Sequence, residues 1–187
     1  MLFLFKTHVR SKFEWCYGAI FHAAPSKLER LDTVQSSFLR HMEINEKQAF
    51  LEFNLAPLQL RRDIGMLGVL YKICHGTAHV DFDLLFPKAP TSETHGHSTR
   101  ANRRRHDMQL VDLCNGTQLC QFQRSLFGLV KVWNALPSAF VHATTVSMFQ
   151  SMLNRASKQA CAAGVEGWQC MFATTSLPFS LLIKYCF

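Results

Sequence analysis

Chemistry in this chain would have to come from its cysteines and histidines, its carboxylates, or its arginines. Seven cysteines (16, 74, 114, 120, 161, 170 and 186) and nine histidines are numerous enough for a zinc site, which needs thiolates and imidazoles at short, fixed spacings. The nearest pairs are His75 with His79 and Cys114 with Cys120. Neither spacing suits a metal. Gly76 is placed to end a helix just after His75, so the two imidazoles need not share a face. A turn at Asn115-Gly116 would set Cys114 opposite Thr117 and Cys120 opposite Val111. Neither a metal nor another cofactor is expected. No serine or cysteine sits in a nucleophile elbow, and no histidine and carboxylate recur in a pattern that would orient one another. Adjacent aspartates, the pair needed for two-metal nucleotidyl transfer, are also missing. Asp81 and Asp83 form a DxD pattern, but acids ahead of Leu84-Leu85-Phe86 read as the favourable first turn of a short helix. No catalytic residue is expected.

The cluster that stands out is basic: Arg100, Arg103, Arg104 and Arg105, four arginines in six residues with no acid among them. These can neutralise phosphates, and they are the candidate nucleic-acid-binding residues. A solvated loop explains them equally well, since no aromatic side chain is interleaved to stack on bases. Lys6, Arg10 and Lys12 on the first helix offer a second set of cations, whereas Arg61-Arg62 reads as the exposed side of a central helix. Over 187 residues, 20 Lys+Arg stand against 13 Asp+Glu, a net charge of +7, and that excess points toward a polyanionic partner, RNA or DNA.

Composition bounds the rest. With 48% hydrophobic and 18% charged residues, the chain can bury a core and is not disordered by composition. Met1 to Phe5 is apolar, but Lys6, His8, Arg10 and Lys12 interrupt it before a signal peptide's apolar region is complete. No run approaches ~18 apolar residues, so no membrane span is expected. An odd number of cysteines without a regular framework reads as reduced thiols, hence a reducing compartment, the cytoplasm or nucleus.

The elements that must position these residues are organised around Asn54 to Gly76. Pro57 suits a helix start and Gly76 the left-handed residue after a helix end. Leu60, Ile64, Leu67, Tyr71 and Cys74 keep helical spacing beside a second stripe of Met66, Val69, Leu70 and Ile73, so this helix needs cover on several sides. Gly65 and Gly68 lower its propensity and read as sites of close helix approach. Ahead of it, Leu2 to Ala23 reads as a helix without an N-cap. A second helix opens with a Ser26/Glu29 capping box and runs to about Met42, and a short third one covers Glu46 to Phe53. The expected partners of Leu67, Leu70 and Tyr71 are Leu31, Val34 and Phe38. Downstream, Met108 to Phe122 carries Asn115-Gly116 between apolar runs, a hairpin signal. A short helix around Trp133 is stopped by Pro137. Thr145 or Ser147 caps a last helix to about Ser157. The fold class is thus mainly α: a helical bundle over 1–78, a polar basic linker over 79–106, a small β-hairpin insertion with two short helices over 107–157, and a poorly ordered, irregular tail over 158–187.

Four phrases in order add a resemblance: VRSKFEW (Val9 to Trp15), AAPSKLERLDTVQSSFLR (Ala23 to Arg40), LAPLQLRRDIGMLGVLYKICHG (Leu55 to Gly76) and VWNALPSAFVHATTVSMFQSMLN (Val132 to Asn154). Together they resemble the C-terminal region of non-LTR (LINE-type) retrotransposon polyproteins, over residues 5–155. In that family the region follows the reverse-transcriptase palm and thumb, and the polyprotein performs target-primed reverse transcription. The family's fingers, palm and catalytic aspartates lie upstream of the matching phrases, and its endonuclease further upstream still. The resemblance therefore implies a catalytically inactive C-terminal piece, with RNA or DNA and the remainder of a polyprotein as partners. Cys161 to Phe187 fits nothing in the family pattern. A stand-alone, non-specific nucleic-acid-binding module is the alternative.

Overall fold

Prolines and capping side chains set where the long helices begin. The computed structural model describes residues 1–90, 106–115 and 120–174. Through them the chain forms α1 (Leu2–Leu4), a π-type segment (Phe5–Arg10), α2 (Ser11–Trp15), α3 (Tyr17–Ile20), α4 (Pro25–His41), α5 (Glu46–Leu51) and α6 (Leu58–Cys74). It continues through α7 (Asp81–Leu85), α8 (Cys120–Gln123), α9 (Val130–Ala135), α10 (Ser138–Val141) and α11 (Val146–Ala162), and a 3-10 turn follows at Trp168–Cys170. The first helix is therefore segmented rather than continuous, because Cys16 leaves helical geometry at φ −105°, ψ 15°. Pro25 is the first residue of α4, which places Ser26 already inside the first turn. The expected Ser26/Glu29 capping box accordingly does not form. Asn45 does cap α5, accepting from the Gln48 amide at 2.7 Å, and Thr145 caps α11, accepting from the Met148 amide at 3.1 Å. Gly76 takes the left-handed conformation after α6, at φ +65°.

α6 is the centre of the core, with Leu60, Leu67 and Leu70 fully buried. Its main neighbour is α11. A Cβ placed on Gly68 would lie 3.4 Å from Val146 Cγ2 and closer still to the Gln150 amide, while one on Gly65 would meet the Tyr17 ring at 3.2 Å, so both glycines serve close approach. Tyr71 stacks on Phe149 with ring centroids 5.1 Å apart and donates to the Ala143 carbonyl at 2.5 Å. Trp133 of α9, fully buried, lies 5.8 Å from the same phenylalanine. The expected cover by α4 is thus corrected. Val34 is 39% exposed, and Phe38 stacks on Phe5 at 4.0 Å in a smaller cluster with Leu39, Ala49 and Leu55. α11 takes the place beside α6 because Phe149, Leu153, Ala156 and Ala160 give it one continuous buried stripe.

The expected β-hairpin over Met108 to Phe122 does not form among the described residues. Leu110 instead pairs antiparallel with Lys88 in a single bridge, with Ala89 N donating to Gln109 O at 2.8 Å and Val111 N to Pro87 O at 2.9 Å. On its other side the Asn134 carboxamide replaces a strand: Leu110 N donates to Asn134 Oδ1 at 2.9 Å, and Asn134 Nδ2 donates to Leu110 O at 2.8 Å. With both backbone groups satisfied and Leu110 buried, no second strand is required, and residues Cys120–Gln123 are free to be helical.

α11 also runs past its expected stop at Ser157, because Ala160 and Cys161 remain buried. Beyond it Trp168, Met171 and Phe172 return to the core, Trp168 stacking on Phe50 at 5.2 Å. Residues 158–174 are therefore packed structure and not an irregular tail. Aromatics on a turn carry no periodicity, so no pattern announced them. Residues 175–187 lie outside the described residues.

Candidate nucleic-acid interface

Arg100, Arg103, Arg104 and Arg105 lie outside the described residues. What the fold does assemble is a different set of cations, on the first helix and the start of α6. Lys6 and Arg10 belong to the π-type segment, a widened helical geometry that recurs at functional sites. Glu14 Oε1 is shared by two guanidinium groups: Arg61 Nε donates to it at 2.5 Å, and Arg10 Nε lies 2.9 Å away without the alignment of a hydrogen bond. Lys6 donates its ammonium to the Phe53 carbonyl. Its pKa is pushed down by burial and then by the charges of Arg10, Arg61 and Lys158. Arg10 is likewise shifted down, by burial and by Arg61, against the upward pull of Glu14. Two guanidinium groups thus share one carboxylate, which neutralises only part of their charge.

Two donors in this cluster are buried without an aligned partner among the described residues, Arg10 Nε and Tyr17 Oη. Burial, then the Glu14 carboxylate, push the Tyr17 phenol up to about 12 against the pull of Arg61, so it keeps its proton and remains a donor. Glu14, Tyr17 and Arg61 line a groove of about 490 Å³ together with Ile64, Met66 and Val69 of α6 and the polar Ser147, Gln150, Ser151 and Asn154 of α11. Arg61, the Tyr17 hydroxyl and the polar side chains of α11 supply donors that suit an anion with several acceptor oxygens. Trp15, one residue beyond Glu14, is 92% exposed.

Arg61 and Arg62 part company. Arg61 belongs to this cluster, but Arg62, expected on the exposed side, is 3% exposed and forms a bidentate pair with Asp32 at 2.6 and 2.8 Å. The correction follows from α4 lying against that side of α6 and supplying a carboxylate. The signal missed in the sequence is the spacing of Arg10, Glu14 and Tyr17 at i, i+4 and i+7, which puts donors and a carboxylate on one helix face.

The other candidates resolve simply. Asp81 and Asp83 form the first turn of α7. His75 Nε2 lies 2.9 Å from the Val141 carbonyl and the ring stacks on Tyr71, whereas His79 pairs with Asp81 in solvent. Among the described residues no three His, Cys, Asp or Glu side chains are grouped to hold a metal. Cys74 and Cys161 are buried free thiols whose pKa values are raised by burial, Cys74 to about 12, which makes them poor nucleophiles. No helix among the described residues is long and apolar enough to cross a membrane. Comparison with protein-family models, with curated proteins and with solved structures finds no match for this chain.

Proposed function

We propose that this chain is a non-catalytic helical region related to the C-terminal part of non-LTR retrotransposon reverse-transcriptase polyproteins, and that its biochemical role is non-specific contact with the phosphate backbone of RNA or DNA. The origin rests on the four phrases between Val9 and Asn154. The contact rests on one observation: two buried polar atoms, Arg10 Nε and Tyr17 Oη, make no aligned hydrogen bond among the described residues where Arg10 and Arg61 share the single Glu14 carboxylate. A phosphate supplies acceptors and negative charge at once, and Trp15, 92% exposed, is an aromatic surface on the same stretch of chain on which an unpaired base can stack.

Fluorescence anisotropy with a labelled single-stranded RNA and a duplex DNA of unrelated sequence tests this. Replacing Arg10 and Arg61 together by alanine should weaken both complexes by about tenfold or more, since charge-assisted bonds of this kind contribute roughly 1.5–3 kcal/mol each. Undiminished binding by a folded double variant counts against the interface, as does absence of binding by the unaltered chain.

A further inference from the structure

A second cleft is lined by three carboxylates, Glu29, Asp32 and Asp63, against two guanidinium groups, Arg62 and Arg124. Its volume is about 150 Å³, and Asp63 stands at its floor with Phe21, Pro25 and Leu28 among its walls. Asp63 is 5% exposed, and its Oδ2 is buried with no hydrogen-bond partner among the described residues. We infer that this cleft is a binding site for a small alkylammonium group, with the Asp63 carboxylate accepting from the ammonium and the apolar walls covering the alkyl chain. The site is distinct from the cationic cluster and does not depend on that reading.

The charges facing Asp63 decide the sign of the ligand. From α4 come Glu29 and Asp32, from α6 Arg62, and from the residue after α8 Arg124. Arg62 is already committed to Asp32 through both guanidinium nitrogens, and Arg124 Nε donates to the Cys120 carbonyl at 3.1 Å. Neither cation is hydrogen-bonded to Asp63, which leaves a buried carboxyl that must either hold a proton or meet a cation. Burial, opposed by Arg62, raises the Asp63 carboxyl to about 7, so near neutral pH the proton is weakly held and a ligand displaces it at small cost. An ammonium offers three donors and, with a short chain, stays within the molecule of about benzene's size that a cavity of this volume accepts. A metal ion is a poorer fit, because no three metal-binding side chains are grouped here among the described residues.

The probe is propylammonium chloride, titrated calorimetrically into the full chain against sodium chloride at equal ionic strength. Saturable binding is expected at pH 8, weaker by roughly thirtyfold at pH 5.5, the ratio set when a proton competes at a site titrating near 7. The neutral analogue 1-propanol should not bind. Asp63→Asn, nearly isosteric, should abolish binding while keeping the fold, and carboxyl NMR of the unaltered chain should show the Asp63 titration moving down as the probe saturates. A blocked lysine, Nα-acetyl-lysine methylamide, separates the sources: binding as tight as propylammonium assigns the site to a protein's lysine, weaker binding to a free amine. No saturation at pH 8, equal binding by Asp63→Asn, or affinity that ignores pH between 5.5 and 8 overturns the assignment.

Discussion

At the scale of single residues, the unusual choice is a carboxyl at Asp63, one position after an arginine that pairs elsewhere. Folding takes that carboxyl out of water, which favours its neutral form and raises its pKa from 3.8 to about 7. The sign follows from proton linkage. Because the folded state holds the proton more tightly than the unfolded chain, this group's contribution is fully present below about pH 4, declines as pH rises toward 7, and stays lost above it. The slope contributed over that window is at most about 1.4 kcal/mol per pH unit. Asp63→Asn should therefore unfold at higher urea concentration than the unaltered chain at pH 8, with the advantage shrinking at pH 5. A variant with the same pH dependence as the parent would mean that some other group titrates. Arg62 is the contrasting case: its bond pair to Asp32 is held with the guanidinium almost fully buried, so Asp32→Ala should cost roughly 3–5 kcal/mol by stranding that charge.

At the scale of elements, what the sequence made legible is what local physics decides. Pro57 and Gly76 bound α6 from within the chain, and Gly65 and Gly68 marked the close approaches that Tyr17 and Gln150 make. What it did not make legible is which helix fills those approaches, because stripes of similar apolarity on α4 and α11 compete for the same face and only three-dimensional fit separates them. The hairpin failed for a related reason. Asn115-Gly116 is a local signal, but the hydrogen bonds of Leu110 are supplied from Asn134, a residue no nearby pattern connects to it. Of the candidate binding residues, the four arginines at 100–105 were legible by their density and Lys6 and Arg10 by their place near the start of the chain, whereas the meeting of Arg10 and Arg61 at Glu14 was not, since it forms only in the folded chain. Two substitutions weigh these packing assignments. Leu67→Ala should cost roughly 2–5 kcal/mol, whereas Val34→Ala on the outer side of α4 should stay within about 0.5 kcal/mol, both read from urea denaturation. Asn134→Ala, which leaves the Leu110 backbone without its partners, should cost about 1–3 kcal/mol; a neutral result would return the region to a conventional strand.

At the scale of the whole molecule, one buried cluster reaches from Phe21 through α6, α9 and α11 to Phe172, so the described residues should unfold in one transition and share the consequences of a change at either end. Charge is distributed differently. The 20 Lys+Arg that outnumber 13 Asp+Glu include a pair that meets in the fold at Glu14, Arg10 and Arg61, and a set of four arginines at 100, 103, 104 and 105 outside the described residues. Counterion release distinguishes their shares, since each phosphate neutralised on duplex DNA contributes about −0.9 to the slope of log affinity against log salt. If all four loop arginines engage, their replacement by alanine removes about −3 to −4 from that slope whatever the probe sequence. Replacing Arg10 and Arg61 removes at most about −2, and less to the extent that Glu14 already neutralises them. Additive losses are expected if the two sets act independently, and the cluster variant should lower the urea midpoint through the lost Glu14 pairs. Slopes unmoved by both changes would place the basic excess on the surface as solvation and nothing more, and the nucleic-acid reading would fall with it.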